Sequence, residues 1–158
     1  MIRIDARPLT ADAFRPFGFV FEAPATPGRS PPVAELRSDR DRAMATLTVS
    51  LEDPVASPVR IARLERHPFS TQSFIPIDLS RYLVVVAPAL ADGSPSAFQA
   101  QAFIGAAGMG CSYATGVWHA AFSVLDRRGS YAALIWRDGT EDDEMFFDLP
   151  EPLMVSGI

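Results

Sequence analysis

The sequence predicts an all-β fold, a barrel or jelly roll carrying one minor helix, and three observations support this. Apolar and polar residues alternate strictly over short runs, as in Ala45 to Leu51, where Leu47, Val49 and Leu51 share one face and Thr46, Thr48 and Ser50 the other. Prolines at 54, 58, 68, 76 and 88 cut the chain into segments of strand length. No long amphipathic helical pattern occurs, and many short strands at close spacing close most readily into a barrel or a double-sheet roll.

Taken in order, the N-terminus reads as a strand followed by a short helix. Thr10 caps it, Ala11 to Arg15 wind, and Pro16 with Gly18 stops it. Residues 23–32 hold four prolines and a glycine and read as a loop. The mixed-charge stretch Arg37 to Arg42 reads as solvated surface, or as a lid that brings an arginine to a bound anion. Strands are expected at 45–51, 59–67, 72–75, 82–87, 97–104, 122–125, 132–136 and 145–149. Turns are expected at Asp92-Gly93-Ser94-Pro95, Arg127-Arg128-Gly129-Ser130 and Arg137-Asp138-Gly139-Thr140. Gly105 to Gly110 resembles a phosphate loop only superficially, because no lysine follows, and reads as a tight inter-strand loop. Glu141 to Glu144 reads as a solvated turn rather than a calcium site.

Composition narrows the function classes. One domain spanning 1–158 is expected, with 48% hydrophobic and 21% charged residues, the balance of a soluble globular protein. No apolar run reaches the roughly 20 residues that cross a bilayer, and the N-terminus lacks the blocks of a secretory signal, so a cytoplasmic location is expected. A net charge of −5 without a basic stripe argues against nucleic acid as a partner. The single cysteine, Cys111, excludes an internal disulfide and reads as a small buried hydrophobe. There is no lysine and no asparagine, so a lysine Schiff base is excluded and anions must meet arginine forks, backbone N–H groups or a metal.

Only two histidines occur, and imidazole is both the side chain that titrates nearest neutrality and the commonest metal ligand. Along the strand ending at His67, the face of Val59 and Ile61 is expected to continue through Arg63 to Glu65 and His67, turning from apolar to ionisable toward a barrel mouth. Gln72, past the Pro68 turn, can return to the same cavity, whereas Arg66 falls on the opposite face and is expected at a subunit contact. Gly116 permits a turn before Trp118 and His119, with Tyr113 facing the site from the preceding strand. On this reading His67, His119 and Glu65 are the catalytic candidates. Gln72, Tyr113 and Trp118 are substrate contacts, Trp118 as a wall.

The pattern Glu65-x-His67-x4-Gln72 with Gly116-x2-His119 resembles the two half-motifs of cupin barrels, in which such positions hold a metal. The resemblance implies a ligand set of His67, His119, Glu65 and Gln72. A closer resemblance is to the ureidoglycolate lyase family, formerly ureidoglycolate hydrolases. Three stretches carry it: Phe14-Arg15-Pro16-Phe17-Gly18, Leu64 to Pro76 running on to Tyr82–Ala87, and Tyr113-Ala114-Thr115-Gly116-Val117-Trp118-His119. This implies a cupin-like β-barrel, a homodimer, and cleavage of ureidoglycolate to glyoxylate and urea in allantoin and purine nitrogen degradation. It also implies a divalent metal, nickel or manganese, in some members and none in others. His67 and His119 then either ligate that metal or act directly as base and acid. Three departures fall where substrate selection is expected. Ala120 and Ala121 follow His119 in place of a histidine and a proline, an asparagine-rich element near 28–38 is replaced by Gly28 to Pro32, and Trp136-Arg137-Asp138-Gly139 replaces an Asp-Arg pair. The alternatives are a metal-dependent cupin enzyme on another small hydroxy or ureido acid, and a non-catalytic small-molecule-binding cupin.

Overall fold

The computed structural model describes residues 1–158 and is all-β, with thirteen strands and one four-residue helix. The N-terminal prediction holds. After β1 (Ile2–Asp5) and β2 (Arg7–Pro8), the Thr10 hydroxyl accepts a hydrogen bond from the Ala13 N–H and caps α1 (Ala11–Phe14). The expected strands appear as β4 (Met44–Glu52), β5 (Val59–Arg66), β6 (Gln72–Asp78), β7 (Arg81–Ala87), β11 (Ser123–Leu125) and β12 (Gly129–Arg137). The segment from Ala97 splits into a 3-10 turn and β8 (Gln101–Ala106). Besides the two-residue strands, three stretches were not assigned bounds as strands. They are β3 (Gly18–Glu22), β9 (Met109–Tyr113) and the far half of β13 (Met145–Ser156), which continues beyond Leu149 through two prolines.

The strands form two sheets. The larger has the order β1-β13-β5-β10-β7-β8-β2, where β10 is Trp118–His119 and β11 adds to β7, and it curls into a nearly closed, cupin-like barrel. The smaller has the order β3-β9-β6-β12-β4. Phe14, Phe74, Tyr82, Val84, Val86, Phe103, Tyr113 and Tyr131 form an aromatic-rich core joining the small sheet to one face of the large one. The opposite face of the large sheet has a second core, including Leu64, Val85, Trp118, Leu153 and Val155. Burial of a side chain such as Leu64, with 0% exposure, stabilises by about 1.5–3 kcal/mol.

The face assignment along β5 needs correction. Val59 and Ile61 pack in the second core together with Leu64, an odd–even change that regular alternation forbids. The cause lies in the partner strand. Between Arg63 and Ile61 β5 advances two residues, whereas β13 advances five, from Asp148 to Leu153. Pro150 and Pro152 sit in that excess and cannot donate to the ladder. The resulting irregularity separates the apolar start of β5 from Glu65 and His67, which emerge on the face opposite Leu64.

The β4 alternation is real but inverted. Leu47, Val49 and Leu51 are 62%, 66% and 69% exposed on the outer face of the small sheet, while Thr46, Thr48 and Ser50 stand beside the inward-facing Ile135, Ala133 and Tyr131. Ile75, 40% exposed, lies in the same outer row through Ala132.

Candidate functional site

The site forms where the two sheets face each other at one end. His119 on β10 pairs with Glu65 on β5 and with Val86 on β7, which sets its ring on the inner face of the large sheet. Gly116, at φ 77°, makes the left-handed turn before β10, and its N–H donates to the His67 carbonyl at 2.9 Å. This hydrogen bond ties the two histidine segments together, and the imidazole centroids lie 5.3 Å apart. Across the gap, Gln72, Tyr113 and Ile135 form one cross-strand row of the small sheet, and the Tyr113 ring stacks on His119 at 4.3 Å.

Glu65, His67 and His119 offer three ligand atoms within 4.8 Å of one another. His67 and His119 are 3% and 1% exposed, so their hydrogen bonds decide their chemistry. His67 Nδ1 donates to the Asp143 carbonyl at 2.9 Å, and His119 Nδ1 donates to the Val117 carbonyl at 2.9 Å. A carbonyl can only accept, so both rings carry their proton on Nδ1 and turn the Nε2 lone pair into the site. His67 Nε2, Gln72 Oε1 and the Tyr113 hydroxyl are buried there without a hydrogen-bond partner. His119 Nε2 faces Glu65 Oε1 at 3.3 Å. A bare lone pair and a carboxylate oxygen repel at that distance, so the geometry calls for a proton or a cation between them. Two imidazoles and a carboxylate form a donor set that suits a divalent cation.

Electrostatics point the same way. Burial, followed by the neighbouring His119, pushes the His67 pKa down to about 4, against the support of the Asp143 carbonyl and Glu65. Burial raises the Glu65 carboxyl, but a proton shared with His119, together with the charges of His119, His67 and Arg137, outweighs it and holds Glu65 below the usual carboxylate range. Near neutral pH the site therefore presents a neutral His67 and an ionised Glu65. Burial lifts the Tyr113 hydroxyl well above its ordinary value, so it stays a hydrogen-bond donor.

The depressed His67 pKa has a consequence for stability. The unfolded imidazole titrates near 6.5, so between about pH 4 and 6.5 the unfolded chain binds the extra proton and stability rises with pH. Urea unfolding of the metal-free protein is expected to lose on the order of 3 kcal/mol between pH 7 and pH 4 from this group. His67→Gln is expected to remove that part of the slope, and an unchanged slope would contradict the assignment.

One sequence expectation for the site fails on geometry. Trp118 is not in the site, because neighbours on a strand face opposite ways and His119 occupies the inner face. Trp118 packs in the second core, donates from Nε1 to the Gly93 carbonyl at 2.9 Å and carries the Arg66 guanidinium 4.6 Å above its ring. Arg66 also reaches the Gly93 carbonyl within its own chain. Ala120 shares the face of Trp118, so the departure after His119 points away from the triad. The Glu141–Glu144 turn is only partly solvated, since Asp143 is 6% exposed and paired with Arg40.

Two further inward residues line the site, one of them in the Trp136-Arg137-Asp138-Gly139 departure. Arg137 continues the face of Tyr131, Ala133 and Ile135 on β12, its charge acts on Glu65 and His67, and it lies 3.6 Å from Glu144. Tyr131 is close enough to sense the Glu65 charge and stands opposite Ser50 across the β4–β12 ladder. Alternation along β12 is the signal that finds both, once the inner face is known.

The model of the family described as ureidoglycolate lyase matches residues 1–156. The chain is 34% identical over 168 residues to a protein of Rhodobacter capsulatus named ureidoglycolate lyase, covering 99% of this chain and 100% of that one. It is 32% identical over 170 residues to one of the same name from Chelativorans, covering 96% and 95%. A third, from Schizosaccharomyces pombe, is 40% identical over 89 residues, covering 54% of this chain and 47% of that one.

Proposed function

The chain belongs to the ureidoglycolate lyase family, and we propose that it cleaves ureidoglycolate to glyoxylate and urea, within allantoin degradation, as a single domain over 1–158. The observation that carries this reading is the lone pair of His119 Nε2 held 3.3 Å from the Glu65 carboxylate, a pair built to share a proton or a cation.

Ureidoglycolate bears a hydroxyl and a ureido nitrogen on one carbon, next to a carboxylate. Cleavage removes the hydroxyl proton, breaks the carbon–nitrogen bond as the aldehyde forms, and returns a proton to the departing urea nitrogen. His119 Nε2 takes the hydroxyl proton, and ionised Glu65 stabilises the imidazolium. Because oxygen and nitrogen share one carbon, the same imidazolium can protonate the leaving nitrogen. His67 stays neutral and accepts from a ureido N–H through Nε2. Gln72 Oε1 accepts a second one, and the Tyr113 hydroxyl donates to a substrate oxygen. Arg137 meets the carboxylate as a fork. A divalent cation held by His67, His119, Glu65 and Gln72 would supply Lewis acidity at the substrate oxygens. It would compete with the proton for the same Nε2 lone pair.

Incubation with racemic ureidoglycolate, followed by glyoxylate and urea assays, tests the reading. Turnover is expected, and its absence both without metal and with added nickel or manganese would exclude the function. Metal content of the purified protein and of His119→Ala decides whether the triad is a ligand set.

We further propose a cytoplasmic homodimer. No helix is long and apolar enough to cross a membrane. The exposed outer row of Leu47, Val49, Leu51 and Ile75 beside the free edge of β4 gives a second copy an apolar face to cover. Val49→Asp is expected to shift the protein to a monomer in sedimentation velocity, and an unchanged oligomer would place the contact elsewhere.

A further inference from the structure

We propose that Arg40 is a positioning residue that fixes the orientation and tautomer of His67 through the backbone of Asp143. The inference rests on the proposed use of the His67 Nε2 lone pair, and it assigns a role to the mixed-charge stretch Arg37 to Arg42 ahead of β4 that the mechanism leaves unused.

Arg37, Asp39, Asp41 and Arg42 are exposed, as expected of solvated surface, while Ser38 and Arg40 are half-buried. The backbone of this stretch docks beside the residues that link His67 to Gln72. The Asp39 N–H donates to the Phe69 carbonyl at 2.7 Å, the Thr71 N–H donates to the Arg37 carbonyl at 3.1 Å, and the Arg37 N–H donates to the Thr71 hydroxyl at 3.1 Å. Arg40 then turns away from solvent, its side chain 14% exposed and its guanidinium 5.5 Å from the Phe69 ring centroid. Nη1 bonds to Asp138 at 2.8 Å and to the Thr140 hydroxyl at 3.1 Å, while Nη2 bonds to Asp143 at 2.5 Å.

Asp143 is the junction. Its carboxylate accepts the Asp138 N–H at 3.0 Å and the Gly139 N–H at 2.9 Å, closing the loop between β12 and β13 on itself. Its backbone carbonyl, at the end of that loop, receives the His67 Nδ1 proton at 2.9 Å. The fork of Arg40 thus spans Asp138 and Asp143 and sets the position of the carbonyl that selects the His67 tautomer. Without Arg40, two carboxylates in one tight loop lose their shared cation, and the carbonyl is free to move. Partners that orient a working imidazole from behind commonly change affinity or activity about 10–100-fold when removed. Lysine is a point charge and cannot span both carboxylates as the fork does.

With two histidines in the chain, the imidazole nitrogens give only two spin systems, so nitrogen NMR of the metal-free protein reads the tautomers directly. In the wild type both rings are expected as the Nδ1–H tautomer. In Arg40→Ala the His67 nitrogens are expected to move toward tautomer averaging while those of His119 stay. In ureidoglycolate turnover kcat/KM is expected to fall about tenfold, with KM raised because His67 Nε2 holds a ureido N–H. Arg40→Lys should restore part of both effects, and Arg40→Gln reads the same signals if the alanine variant folds poorly. A folded Arg40→Ala or Arg40→Gln protein with an unchanged His67 spectrum would overturn the proposal. If the wild type itself does not cleave ureidoglycolate, the lyase reading fails, and the tautomer comparison still decides the role of Arg40.

Discussion

Replacing His119 with alanine is expected to lower kcat/KM for ureidoglycolate by about 10²–10⁴, the range of a lost proton-transfer group. The loss should appear mainly in kcat, because Arg137, Gln72 and Tyr113 remain to hold the substrate. His119 is 1% exposed and stacked on Tyr113, so truncation also leaves a cavity, and circular dichroism with a melting curve must accompany the kinetics. Glu65→Gln keeps the shape but removes the charge that stabilises the imidazolium, and it should be impaired in the same parameter. A His119→Ala protein that folds and turns over at wild-type rate would remove the imidazole from the reaction.

The second large effect is expected at Arg137. Its guanidinium stands on the inner face of β12, is 41% exposed, and acts on both Glu65 and His67. A charged hydrogen bond to a substrate carboxylate is worth about 1.5–3 kcal/mol, so Arg137→Ala should reduce kcat/KM roughly 10–150-fold. Most of that should appear as a raised KM. Arg137→Lys should recover part of it, since lysine supplies the charge but not the planar fork. A steady-state KM unchanged in Arg137→Ala would move the carboxylate contact elsewhere. Glu144, 3.6 Å from Arg137, competes for the guanidinium, so Glu144→Gln is expected to lower KM modestly.

Much of this was legible in the chain. Strand alternation and proline spacing marked most strands, and the two histidine segments with Glu65 and Gln72 mark the place where the sheets meet. The local grammar of Thr10 and α1 was readable because a cap is decided within four residues. What escaped depends on distant partners. Glu65 sits on the inner face despite the register of Val59 and Ile61, because an excess of residues between Asp148 and Leu153 of β13, far along the chain, breaks the alternation. Trp118 is different, because its position beside His119 on a strand already excludes both from one cavity. Proximity in the motif obscured that rule. Arg40 looked like one charge in a mixed run, and only the return of the β12–β13 loop brings Asp138 and Asp143 to it. The departure at Ala120 loses its weight for substrate choice, since that side chain belongs to the second core.

The central claim is that Glu65, His67 and His119 form one working centre into which both Nε2 lone pairs point. The most direct measurement is a crystal structure of the protein soaked with nickel and glyoxylate, recorded with anomalous scattering at the nickel edge. A nickel peak is expected about 2.1 Å from both Nε2 atoms or, where the metal does not bind, glyoxylate lying against His119, Gln72 and Arg137. Nickel and glyoxylate found only elsewhere, for example in the cavity of about 440 Å³ lined by Gln99, Gln101 and Thr115, with the triad empty, would contradict it.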